Sequence, residues 1–147
     1  MRKQTWVKAV LPLVCVSWAA WQVAADPAGD DRATRSQSVP CEEAMSFADR
    51  NGLPAGAYDA RCEDAGALDT MYDVRFRIPR SGLDTWLAEA YPGLRMTSPC
   101  PGSPEHGGAC GHVDLAPPAD GGAVAIDVVV EYEKNDTALV HFRPFRT

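Results

Sequence analysis

The sequence predicts an α+β fold: a small antiparallel sheet of about four to five strands, ending in a C-terminal hairpin, with two helices packed on one face. Three observations carry that expectation. From Tyr72 to Ile78, apolar Tyr72, Val74, Phe76 and Ile78 alternate with Asp73, Arg75 and Arg77, the period of a half-buried strand. Immediately after it, Leu83, Trp86, Leu87 and Ala90 recur at helical spacing. Near the C-terminus, two more alternating runs flank Lys134-Asn135-Asp136, a hairpin signature.

The folded domain is expected over residues 38–147. Pro40 opens a first helix capped by Ser38 or Val39, with Glu42 and Glu43 in the first turn, where the dipole favours acid. Cys41, Ala44, Met45 and Ala48 share one face of it, and Asn51-Gly52 ends it. A short strand follows from Tyr58 to Glu63, and then the central strand. Pro79-Arg80 stops that strand, Ser81 is placed as the N-cap of the second helix with Asp84 three residues on, and Pro92-Gly93 closes it. Residues 92–122 read as a long Pro/Gly-rich passage with one brief extended piece at His112–Leu115. In the hairpin the apolar faces must coincide. Val130 therefore pairs with Val140 and Val128 with Phe142, which sets Asp127 opposite Arg143 and Val129 opposite His141. Asn135 or Asp136 then takes positive φ in the loop.

Residues 1–25 read as a targeting segment. Arg2, Lys3 and Lys8 precede an uncharged run from Ala9 to Ala25, and Asp26, Asp30 and Asp31 follow, an order that leaves the N-terminus inside and exports the rest. As a transmembrane anchor the segment, with Trp6, Trp18 and Trp21 at its interfaces, holds a single-pass protein in the plasma membrane through residues 7–25, its C-terminal domain outside. As a signal peptide it is cleaved after Ala25 and the protein is secreted. Cys15 follows Val14, not a small residue, and reads as an apolar filler rather than a lipidation site. Residues 26–37, rich in small and charged side chains, read as a flexible spacer.

Composition bounds the function. The formal charge is -6, and removing the three cations of the first 25 residues leaves -9 for the remainder. So acidic a domain, with no basic stripe, repels a phosphate backbone, which excludes nucleic acid as a partner. None of the Gly-x-Ser-x-Gly, His-Glu-x-x-His, P-loop or Gly-x-Gly-x-x-Gly motifs occurs. The expectation is a protein that is not an enzyme and needs no cofactor.

Cys41, Cys62, Cys100 and Cys110 make an even set in a small exported domain, the pattern of disulfides. Pairing sequence neighbours gives Cys41–Cys62 and Cys100–Cys110, each contributing roughly 2–4 kcal/mol by chain-entropy reasoning. Cys100, His106, Cys110 and His112 fall within thirteen residues, but their spacing matches no zinc pattern, and thiols outside the cytoplasm oxidise first. No structural metal site is expected, and His106 and His112 remain only weak surface ligands. A nucleophilic Cys110 with His112 or His141 as base would need a free thiol.

The eleven residues CPGSPEHGGAC, Cys100 to Cys110, resemble the disulfide-closed, Pro/Gly/His-containing loop of small exported bacterial subtilisin inhibitors. In that family a second disulfide supports a reactive loop downstream. No cysteine follows Cys110 here and the order of helices departs, so no reactive-site residue carries over. Three functional readings follow. The first is a non-catalytic binding module of the bacterial cell envelope, meeting another protein or an envelope component through an interaction loop that includes Pro101, Glu105, His106 and His112. The others are an exported protease inhibitor using the Cys100–Cys110 loop, and weak envelope metal binding through His106 and His112.

Overall fold

The computed structural model describes residues 36–101 and 108–147. Seven strands, β1 (Gln37–Ser38), β2 (Tyr58–Asp64), β3 (Thr70–Pro79), β4 (Arg95–Thr97), β5 (Ala109–Asp114), β6 (Ala125–Tyr132) and β7 (Thr137–Arg146), form one antiparallel sheet in the order β1-β2-β3-β7-β6-β5-β4. Two short helices accompany it, α1 (Cys41–Ser46) and α2 (Arg80–Ala90).

This corrects the expected architecture. The small four-to-five-stranded sheet balanced by two helices is instead an extended seven-stranded sheet that dominates the domain. The physical reason lies at the edges. β1 and β4 have two and three residues, too short to show a period of 2. β5 hides in the Pro/Gly-rich passage because its inward positions are Ala109, Gly111 and Val113, which carry little apolar contrast. Gln37, at the end of the expected spacer, is already in β1. Residues 1–25, and most of the spacer, lie outside the described residues.

The core lies on one face. Val74, Phe76 and Ile78 of β3, Ile126, Val128 and Val130 of β6, and Val140 and Phe142 of β7 are all fully buried. Helix α2 covers them with Leu83 and Leu87. Trp86 meets Phe76 and Phe142 edge-on at 5.9 and 5.5 Å, and Tyr91, just past the helix, lies 5.8 Å from Phe142. Helix α1 adds Ala44 and Met45 to the same cluster, and the Cys41–Cys62 disulfide ties it to β2. The β6–β7 register has Val130 opposite Val140, Val128 opposite Phe142, Asp127 opposite Arg143 and Val129 opposite His141. Asn135 and Asp136 both take positive φ in the connecting loop.

Helix α2 starts two residues earlier than a Ser81 cap would allow. Pro79, with φ fixed near -56°, is the N-cap residue, and no side chain caps the helix. The Arg80 N–H donates instead to the Asp136 carbonyl at 3.0 Å, so the β6–β7 loop satisfies the helix start. After α1, Asp49 takes positive φ and its carboxylate accepts the Asp120 and Gly121 N–H groups at 2.7 and 2.8 Å. Gly121 is needed there, since a Cβ would stand 2.1 Å from the Ser46 carbonyl oxygen.

Both disulfides are formed, Cys41–Cys62 and Cys100–Cys110. Their presence places the domain in an oxidising, extracytoplasmic compartment. Among the described residues no helix is long and apolar enough to cross a membrane.

Candidate functional site: the uncovered face of the sheet

Strand alternation that turns apolar residues toward α1 and α2 sends a second set to the opposite face, which no element among the described residues covers. From β3 these are Asp73, Arg75 and Arg77; from β7 Leu139, His141, Arg143 and Phe145; from β6 Asp127, Val129 and Glu131. Cys110 and His112 of β5 and Arg95 and Thr97 of β4 complete the face.

Charge on it is ordered. Across five strands runs Asp73, Arg143, Asp127, His112, Arg95, with Arg143 opposite Asp127, Asp127 opposite His112, and His112 opposite Arg95. Arg143 Nε lies 3.5 Å from Asp73 Oδ1, and His112 Nδ1 lies 2.6 Å from Asp127 Oδ1. From Asp73 to His112 each charge has an opposite neighbour, the favourable cross-strand arrangement, and the row ends with Arg95 beside His112. His112 Nε2 also lies 3.2 Å from Asp114. The Asp127 carboxylate above all holds the His112 imidazolium on, so its pKa stands above the ordinary histidine value. The two carboxylates engage opposite ring nitrogens, so they do not converge as metal donors. Among the described residues no group of three His, Cys, Asp or Glu could hold a metal ion.

Asp73 is the centre of the face. Its carboxylate stands within 3.5–3.7 Å of Arg143, Arg75 and His141 Nδ1. The His141 ring, with the two guanidiniums, holds the Asp73 carboxyl below the usual range against its burial. Asp73 Oδ1, His141 Nδ1 and Arg75 Nε are nevertheless buried without a hydrogen-bond partner among the described residues. One carboxylate shared by two guanidiniums and an imidazole satisfies none of them fully.

Two clefts open onto this face. One, about 490 Å³, lies beside the Cys100–Cys110 disulfide and is lined by Arg95, Thr97, Pro101, His112, Val129 and Arg143. The other, about 530 Å³, is lined by Asp59, Ala60, Arg61, Arg75, Arg77 and Leu139. A β-bulge between Tyr58 and Arg61, with Asp59 at positive φ, shapes its wall. Arg77 donates to both Glu133 oxygens at 2.9 and 3.0 Å and lies 3.5 Å from Asp59. That fork keeps the Glu133 carboxyl below its ordinary pKa.

Of the residues singled out in the sequence, Pro101 and His112 line one cleft, whereas Glu105 and His106 lie outside the described residues. Cys110 is bonded to Cys100 and has no thiol to offer. The sequence pattern did not single out Asp73, Arg75, His141 and Arg143 as a group. The Asp73/Arg75/Arg77 alternation marks the outward face of β3, but only the insertion of β7 beside β3 brings His141 and Arg143 onto Asp73. No family model, curated protein or solved structure matches this chain.

Proposed function

We propose that this protein is a non-catalytic binding module of the bacterial cell envelope, presenting the uncovered face of its sheet to another protein or an envelope component. The observation that carries this reading is the face itself: a broad charged surface with two clefts, on the side of the sheet the helices leave open. A seven-stranded sheet needs only one covered face to be stable, and a rigid polar second face suits recognition. The charge order of residues 2–31 supports retention at the plasma membrane through residues 7–25, or secretion after cleavage at Ala25. Val129, near the middle of the face, gives the test. Val129→Arg in the full chain should abolish retention of solubilised envelope components from the native host while leaving the denaturation midpoint in place. Unchanged retention moves the binding surface elsewhere.

A second reading keeps the Cys100–Cys110 loop as a protease-inhibiting substrate mimic. It is favoured by the stem of that loop, where the disulfide is reinforced by Cys100 N–H and Ser98 Oγ, both donating to the Gly108 carbonyl at 3.2 Å. Failure to inhibit any of a panel of serine proteases at submicromolar concentration removes it.

A further inference from the structure

We propose that the cleft beside β2 and β3 binds a phosphate-type oxyanion between Arg61 and Arg75; this rests on the uncovered face being the binding surface. The first observation is a break in the charge order. Arg61 and Arg75 stand directly opposite each other across β2 and β3, a like-charge pair beside the alternating row Asp73, Arg143, Asp127, His112. Such a pair is destabilising by itself and becomes favourable when an anion sits between the guanidiniums. The other like pairs have carboxylates or cations at hand: Glu63 opposite Asp73 is relieved by the Arg75 and Arg143 guanidiniums, and His112 opposite Arg95 by the Asp127 and Asp114 carboxylates on the imidazole.

The second observation is donor capacity. Arg61 takes part in no ion pair among the described residues. Arg75 reaches only the shared Asp73 carboxylate, 3.6 Å away, and its Nε is buried without a hydrogen-bond partner. Arg77, third in the wall, is already engaged by Glu133 and Asp59 and serves to fix the cleft rather than to bind. Two guanidiniums on neighbouring strands suit a group with three acceptor oxygens and nearly two negative charges better than a carboxylate, which one fork satisfies. At about 530 Å³ the open cleft leaves room beside one phosphate for the rest of a soluble phosphate ester or a lipid headgroup.

The test uses the full chain in neutral dodecylmaltoside micelles, following the Arg75 Nε–H resonance by NMR. Inorganic phosphate should shift it saturably where chloride of equal ionic strength does not. Arg61→Gln should weaken that titration at least tenfold, and Arg50→Gln, on the helix side of the sheet over the Tyr91 ring, should leave it within twofold. The same shift in micelles doped with phosphatidic acid, a phosphomonoester lipid, without added phosphate, assigns the anion to a membrane headgroup; a shift with inorganic phosphate but not with that lipid assigns it to a soluble ester. Equal responses to phosphate and chloride, or an unchanged titration in Arg61→Gln, overturn the proposal. An overturned anion site alongside a binding-defective Val129→Arg would leave the wider reading of the face standing.

Discussion

On β3, Val74, Phe76 and Ile78 are fully buried beneath the helices, while Asp73, Arg75 and Arg77, interleaved with them, look out from the other side. The covered face is held by apolar area removed from water and by close packing of rings. The uncovered face carries ion pairs from 2.6 to 3.7 Å, partly solvated, whose individual contributions are small. One alternating strand thus divides two environments: side chains facing in are packed under the helices, and side chains facing out carry the ion pairs and line a cleft.

The largest effect that can break this division is a truncation in the core. Phe142→Ala removes a ring that meets Trp86 and Tyr91, and should cost about 3–5 kcal/mol in urea denaturation. Its sequence neighbour on the open face, Arg143→Gln, should cost under about 1 kcal/mol. Comparable losses would erase the distinction between the faces.

The two disulfides sharpen the comparison at an intermediate level. Cys62 is buried on the covered face and its bridge closes 21 residues, whereas Cys100–Cys110 closes 10 and joins β5 on the open face. Replacing Cys41 and Cys62 together by serine should lower stability by roughly 3 kcal/mol or more, since chain entropy and a buried site act together. The same change at Cys100 and Cys110 should cost less, though by only about 0.6 kcal/mol on the loop-length term alone. The denaturant midpoints of the two double variants check the order.

The smallest expected effect is a pH response on the open face. His112 has its folded pKa raised by Asp127, so the contact contributes fully below the unfolded value of about 6.5 and fades as pH rises through the folded one. The His112 ring should titrate by NMR above the ordinary histidine midpoint and return toward it in Asp127→Asn. A midpoint at or below the ordinary value would mean that the short His112–Asp127 contact does not persist in solution.

Much of the covered face is legible in the sequence. The β6–β7 register follows from the alternation alone, because a slip of one residue would turn Val128, Val130, Val140 and Phe142 into water. Both long strands and both helices announce themselves by apolar period. The open face is less legible, because charges obey no period of their own. Asp127 opposite Arg143 follows from the hairpin, but Asp73 beside His141 and Arg143 depends on β7 pairing with β3 across nearly the whole sequence of the domain. The strand count is illegible for a different reason: β1 and β4 are recruited by their neighbours' backbone hydrogen bonds, not by any pattern of their own.

The strand that comes last in sequence is the middle one of the sheet. Until β7 is present, β1-β2-β3 and β6-β5-β4 are two separate three-stranded pieces with no strand to join them. A chain delivered across a membrane N-terminus first therefore presents six strands before the one that unites them. The β3–β7 pairing, the longest in sequence of the sheet, closes only when that last strand arrives, and the joining of the two pieces waits on it.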